Sequence, residues 1–391
     1  MMQAGVGLAI GKRWVDAALD ASVQALETSG ASHATLAVVF ATSHYYEEAH
    51  ACLHAVRRVT GARTVLGVSG GGVLTLAREV EQEPAVAILT LTAADLSIEP
   101  FLLPQGELED ELGRAVVEAV GSKAAPESLL LTLPDVAGLN PRALFHGVEK
   151  ALGSFCPMVG GVAAGGGTFE LLNTEVQTGA LAGALLTGGF GVAIGVAQGC
   201  EPIGEPFVVT RAEEHVIHEI AGRPAAEVMK EAVRAFPDLK RIQQGGLFVG
   251  LAMNPAKSPL GRGDFLVRNL IGMDPESGAL AVAERVRVGQ TVQFQIRDGA
   301  SARDDLEEML KGVSRQLGTR KPAAGFYFNC LGRGEHLYGV PDHDVTMIRT
   351  HLGEFSLIGF FGNGEIAPLG RQNFLHNYTG ALVLLTEGED G

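Results

Sequence analysis

The chain has 391 residues, 46% hydrophobic and 19% charged, a globular balance that excludes extended disorder. Its 45 acidic against 30 basic residues leave a net charge of −15, and no Lys/Arg-rich run compensates locally, so neither nucleic acid nor an anionic membrane surface is an expected partner. Four dispersed cysteines (Cys52, Cys156, Cys200 and Cys330) form no C-x-x-C pair and read as reduced thiols of a cytoplasmic protein, with no disulfide framework, metal or cofactor.

The opening run "MMQAGVGLAIGKRW" is short and has no basic stretch before it, so no signal peptide is expected. Residues 1–34 read as a lead-in with a helix. "TLAVVFATS" (Thr35–Ser43) is then a β-type run, followed by a helical segment from Tyr45 to Val59. "RTVLGVSGGGVL" (Arg63–Leu74) and a further strand, "PAVAILTLT" (Pro84–Thr92), complete a first pattern. His50 and His54 lie four apart on the helical segment, a metal-compatible spacing that no third ligand supports; they read as a solvated face.

The pattern recurs. "SLLLTLPD" (Ser128–Asp135) leads to a helix after Asn140-Pro141, then to "CPMVGGVAAGGG" (Cys156–Gly167). The uncharged span Gly179–Gly199 is long enough to cross a bilayer, but Gly188-Gly189 breaks it, so it is expected to be a buried hairpin. From Glu201 to Asp298 the texture changes to short strands around a helix at Pro224–Ala235, with "MDPESGAL" as a hairpin tip. The third copy is "AGFYFNCLGRG", a helix near Pro341–Leu352, "FSLIGFFGNGEIAP" and "GALVLLT".

In each copy about 30 residues separate the first strand from the glycine cluster, a spacing that suits a parallel crossover, with antiparallel hairpins after it. The fold class expected is α/β to α+β, with repeated strand–helix–strand units in mixed sheets covered by helices. It divides into two halves, 35–205 and 206–391.

Glycine turns at strand ends admit ligands to backbone N–H groups. Three are candidates: Ser69-Gly70-Gly71-Gly72, Gly165-Gly166-Gly167 and Gly362-Asn363-Gly364. None forms a nucleotide-binding motif. Glu365 follows the third turn, and Arg333 stands between Gly332 and Gly334 beyond the strand that ends at Cys330. A guanidinium and a carboxylate on opposite walls would hold a zwitterion, with Asn363, His376 and Tyr378 adding neutral hydrogen bonds. The simpler alternative pairs Arg333 with Glu365 as an internal lock. Asp342 and Asp344 read as caps of the helix that begins there. Cys330 is either a buried inert thiol or a nucleophile, for which His336, His343 and His376 are the available bases.

The segments Cys330-x-Gly332-Arg333-Gly334, Gly359–Ile366 and Leu375-His376-x-Tyr378-Thr379, with looser matches at "VLGVSGGGVL" and "CPMVGGVAAGGG", resemble the FIST N and FIST C domains. The resemblance covers about Thr35 to Thr386. It implies a sensory domain that binds a small ligand such as an amino acid and reports to a separate signalling protein. Val73 and Leu74 stand where an acidic residue often follows the first glycine turn. An enzyme built on Cys330 and a ligand-free interaction scaffold are the alternatives.

Overall fold

The computed structural model describes residues 2–11, 13–108, 111–121, 128–254 and 256–388. Three units share one chain pattern. The first runs β1 (Gln3–Ile10), α1 (Trp14–Ser29), β2 (Leu36–Thr42), a 3-10 turn (Ser43–Glu48), α2 (Ala49–Thr60), β3 (Thr64–Gly70), β4 (Gly72–Thr75), β5 (Glu79–Val80) and β6 (Ala85–Thr92). The second runs β7 (Ser97–Pro104), α3 (Gln105–Leu108), α4 (Leu112–Val120), β8 (Leu129–Pro134), α5 (Pro141–Leu152), β9 (Met158–Gly161), β10 (Glu170–Leu172), β11 (Glu175–Gln177) and β12 (Ala180–Thr187).

The third unit opens with β13 (Phe190–Ala197) and is interrupted by an insertion. The inserted elements are β14 (Glu201–Glu213), β15 (Val216–Ile220), β16 (Arg223–Pro224), α6 (Ala225–Ala235), α7 (Leu239–Gly245), β17 (Leu247–Ala252), β18 (Phe265–Met273), β19 (Leu280–Val282) and β20 (Thr291–Ile296). The unit resumes with α8 (Gly299–Leu317), β21 (Pro322–Cys330), α9 (Glu335–Tyr338), α10 (His343–Leu352), β22 (Ser356–Gly362), β23 (Glu365–Leu369), β24 (Gln372–His376) and β25 (Gly380–Glu387).

Sheet orders expose the symmetry: β1-β6-β2-β3-β10-β11, β7-β12-β8-β9-β23-β24 and β13-β25-β21-β22-β4-β5. In each, a unit's second and third strands pair in parallel, its last strand runs antiparallel beside them, and its first strand takes the edge. The remaining two positions are filled by the short hairpin of a different unit. Each unit lends its hairpin to a neighbour in a closed cycle, so no sheet is complete without a second unit.

Side-chain alternation on these strands serves two buried faces. Inward residues (Leu36, Val38 and Phe40; Leu129, Leu131 and Leu133; Phe326 and Phe328) meet in one core shared by all three sheets. Outward residues are covered by helix pairs: Val39 under α1 and α2, Leu130 under α4 and α5, Tyr327 under α8 and α10. The inserted strands close on themselves, because β14 pairs with both β20 and β15. The resulting small antiparallel barrel buries Ala225, Val228 and Ala232 of α6 with its own strands.

The α/β class, mixed sheets, helical cover and threefold pattern agree with the sequence reading, and "MDPESGAL" does join β18 to β19. Two expectations need correction. The span Gly179–Gly199 is not a hairpin: β12 pairs with β7 and β8, whereas β13 pairs with β25 in another sheet. Gly188-Gly189 hands the chain from one sheet to the next, and both strands are apolar because each lies inside the molecule. For the same reason the inserted barrel does not separate copies two and three but interrupts the third after its first strand. No helix among the described residues is long and apolar enough to cross a membrane.

Candidate functional site

The parallel strand pairs end together, and their three glycine turns meet at one end of the shared core. The Gly71 N–H donates to Phe361 O (2.9 Å), Ala164 to Ser69 O (3.2 Å), Val162 to Gly364 O (2.9 Å) and Asn363 to Val162 O (3.0 Å). Backbone approach this close requires glycine: a Cβ on Gly362 would stand 2.8 Å from Val162 O, and one on Gly71 would stand 2.2 Å from the Leu331 side chain. The turns therefore spend several of their amides on one another. Gly166, on the exposed outer part of the second turn, donates to Ser43 Oγ (3.1 Å), and the buried Ser69 hydroxyl accepts the Phe169 N–H (3.1 Å). Gly166 and Gly167 border an open groove of about 310 Å³ lined by Ser43, His44, Tyr46, Glu47 and Glu48, and Gly165 lies against Ser43 beside it.

At three corners between sheets, the end of a unit's second strand faces the start of its own lent hairpin. In the third unit these positions hold Cys330 and Glu365 and in the second Asp135 and Glu170; in the first, β2 ends at Thr42 and the hairpin opens at Gly72-Val73. The carboxyls share a task. Glu365 Oε2 accepts the N–H of Thr379 at the entry to β25, and Glu170 Oε2 accepts that of Ala180 at the entry to β12, both at 3.1 Å. In the first unit the Thr42 hydroxyl does this for Ala85 at the entry to β6 (3.1 Å). In both carboxyls Oε1 is buried and unpartnered. Sequence reasoning missed Glu170 although "GGGTFELL" carries the same signal as "GNGEIAPL": an acid soon after a glycine turn.

Glu365 is completely buried, and burial pushes its pKa well above the usual carboxylate value, opposed by the Thr379 N–H and the Arg333 and Arg297 charges. Glu170 is pushed up to about 9 by burial and then by the neighbouring Asp135 charge. The Cys330 thiol, 8% exposed, is pushed up to about 12 by burial and by Glu365, although the Gly332 N–H points at its sulfur. A thiol so protonated is not a poised nucleophile.

Arg333 is also completely buried, and its partner is Asp344. Nε donates to Asp344 Oδ2 (2.9 Å), Nη2 to Oδ1 (3.3 Å) and to Tyr338 OH (2.6 Å), and Nη1 reaches Ala197 O (3.5 Å). Burial works against both charges, and the attraction between them outweighs it: Arg333 stays protonated, and Asp344 is held well below its usual value. Asp344 further accepts from Tyr327 OH (2.8 Å) and faces His343 Nδ1 (3.0 Å). This corrects the capping expectation. Asp342 stands at the start of α10 but makes no side-chain cap, its carboxylate accepting the Glu79 N–H instead (2.6 Å). His50 and His54 are exposed, as expected of a solvated face.

The other candidates divide between core and interface. His376 lies directly across the strand pair from Glu365, with Nε2 on Ala367 O (3.1 Å); burial pushes it down to about 4, so the ring is neutral. Asn363 is exposed and reaches Ala163 O at 3.5 Å. Tyr378 donates to Asn269 of the barrel and packs against Phe248 (4.9 Å between centroids). Three further groups, unnoticed in the sequence, crowd the same junction. Arg297 lies 5.0 Å over the Tyr378 ring and donates to Gly332 O. Cys200 is pushed up to about 12, and Asp305, which accepts the Gly199 N–H (2.6 Å), to about 6, both by burial. The structure thus gathers Cys330, Glu365, Arg333 and Tyr378 where the third unit meets the barrel, and leaves the first two glycine turns around the same ring.

The FIST N domain model matches residues 35–223, and the FIST C domain model matches residues 225–368. An uncharacterized protein of Mycobacterium tuberculosis is 34% identical over 391 residues, 99% of this chain and 100% of the relative. An uncharacterized protein of Mycobacterium bovis is 32% identical, covering 99% of both chains. A solved cyanuric acid hydrolase from A. caulinodans aligns over the whole of both chains at 10% identity with a TM-score of 0.34, and carries no argument at that level.

Proposed function

Because this chain belongs to the FIST family, we propose that it is a cytoplasmic sensory protein: it binds a small ligand, an amino acid or a small organic acid, and passes its occupancy to a separate signalling protein. One observation carries the reading. Glu365 is a fully buried carboxyl with one oxygen on a backbone N–H and the other unpartnered, beside two guanidinium groups at the junction of two structural units. A buried polar atom left unpaired is costly and wants a partner. Junctions between units are where small ligands settle, and a few convergent polar groups fix their orientation.

The same junction suits transmission. Tyr378–Asn269, Arg268–Leu375 and Arg297–Gly332 tie the barrel to the third unit, and a guest beside Glu365 would bear on all three ties. The enzymatic alternative draws no support from Cys330, whose thiol is both buried and protonated. Mass spectrometry of small molecules released from natively purified protein tests the sensory reading. A stoichiometric amino acid or organic acid is the expected finding. Protein that releases none, and that no such compound stabilises against unfolding, would refute it.

A further inference from the structure

Arg297 follows β20, where the barrel rejoins the third unit, and is 6% exposed. Three guanidinium groups of the same region hold carboxylates: Arg333 holds Asp344, Arg268 holds Glu284, and Arg241 holds Glu201 and Asp298. Arg297 forms no ion pair with any described residue. Its Nη2 donates to a carbonyl, one face is covered by Tyr378, and its buried Nε has no partner. Its titratable neighbours are the Arg333 charge, the thiols of Cys200 and Cys330, the hydroxyls of Tyr338 and Tyr378, and Glu365. Arg333 is already neutralised by Asp344, and the thiols and hydroxyls carry no charge near pH 7. A nearly buried cation without an anion is an unfavourable arrangement that an incoming anion relieves.

We propose that Arg297 is the ligand's carboxylate-recognition residue, its free Nε–H and the adjacent edge of the fork meeting the two carboxylate oxygens while the unpartnered Oε1 of Glu365 faces the ligand's other pole. This rests on the sensory reading above and assigns within it the charge that Arg333, committed to Asp344, does not have to spare. A planar fork with one covered face and one free edge suits a carboxylate better than a spherical or tetrahedral anion. The ligand class is accordingly a small carboxylic acid, with an amino acid matching both poles.

The test is thermal unfolding of the full chain with acetate, succinate, glycine or L-glutamate, against chloride and sulfate at matched ionic strength. The variants are Arg297→Gln and Arg297→Met, with the exposed Arg57→Gln as control. At least one carboxylate should raise the wild-type midpoint more than chloride or sulfate does. Arg297→Gln should weaken that affinity roughly tenfold or more, and Arg57→Gln should leave it unchanged. Without ligand, Arg297→Met should be no less stable than wild type, since it removes an unpaired charge. If Arg297→Met does not fold, Arg297→Lys keeps the charge without the fork and should still lose carboxylate affinity. Unchanged affinity in Arg297→Gln, or equal stabilisation by sulfate, overturns the assignment and leaves the sensory reading intact. A neutral or cationic ligand bound by protein that ignores every carboxylate overturns the assignment and, with it, the amino-acid or organic-acid ligand of the sensory reading. Protein that binds nothing overturns both.

Discussion

Replacing Arg333 separates a structural lock from a ligand-binding guanidinium. The Arg333–Asp344 pair is fully buried, joined by contacts of 2.9 and 3.3 Å, and Asp344 also binds Tyr327 and His343. Arg333→Met leaves that carboxylate in the core without its cation, and breaking one side of such a pair costs about 3–5 kcal/mol. Asp344→Asn should cost a comparable amount. The double variant should be less destabilised than the sum by about 2 kcal/mol or more, since neither charge is then left alone. An Arg333/Glu365 cycle should couple by less than about 0.5 kcal/mol, because Arg333 is paired with Asp344 and Glu365 accepts the Thr379 N–H, with no contact between the two side chains. The pair also leaves a pH signature. Asp344 has a depressed folded-state pKa, so its contribution is complete above the ordinary carboxylate pKa and is lost as pH falls below that value toward the depressed one. Urea unfolding of the six species of the two cycles at neutral pH, with the wild type and Arg333→Met repeated down to the acid limit of reversibility, gives every term. An Arg333→Met variant within about 1 kcal/mol of wild type, or stronger coupling to Glu365 than to Asp344, would refute the reasoning.

Glu170 titrates in the folded protein at about 9 against 4.5 for the free group, so the native state holds a proton that the unfolded chain releases and stability falls as pH rises through that window. Glu170→Gln removes the penalty, at most about 3 kcal/mol at pH 7, and should be more stable than wild type at pH 8 but level with it near pH 4.5 in urea titrations. His376 has the opposite sign of slope: with a folded value of about 4 against 6.5, stability is complete above 6.5 and declines as pH falls toward 4. His376→Gln should flatten that acid limb, by up to about 3 kcal/mol, when unfolding midpoints are compared across pH. Cys330 should alkylate with iodoacetamide at neutral pH more slowly than an unfolded-peptide cysteine; faster labelling of native protein would revive the nucleophile reading.

Much of the framework was legible because it is local. Strand–helix–strand spacing showed the three parallel pairs, and the glycine turns marked where they end. Partner choice was not legible. "ALAGALLT" and "FGVAIGVA" are equally apolar whether paired together or handed to two sheets, since both faces of the first and most of the second are packed, and the cyclic exchange of hairpins involves residues about a hundred or more apart. Glu365 could be found because it stands alone after a turn. Asp344 was assigned to the helix start because sequence separation favours a cap, whereas the Gly332 and Gly334 flanks let Arg333 fold back onto α10. Arg297 carried no signal: in "FQIRD" it looks like a strand-end charge, and only burial without an anion sets it apart.

The three corners explain why one of them is the candidate site. They are built alike, with a strand end facing a lent hairpin and a side chain satisfying the amide that opens the last strand. In the first unit Thr42 does this with a neutral hydroxyl, and the hairpin opens with Val73, a residue of the shared hydrocarbon core. In the second, Glu170 faces Asp135, and burial and then the Asp135 charge push Glu170 up, while Thr168, Gly179 and Ala137 satisfy Asp135 (2.5, 3.3 and 2.7 Å). Glu170 Oε1 is left unpartnered as well, but the charge beside it is the Asp135 carboxylate rather than a cation. In the third the facing group is a thiol, too weak an acceptor to complete Glu365, and the unit is interrupted at that end by a barrel that brings Arg297 and Arg268 to the same place. An insertion that supplies positive charge to one corner breaks the threefold equivalence chemically while leaving the scaffold symmetric, and it makes the third corner the one where a guest would meet both the barrel and the third unit.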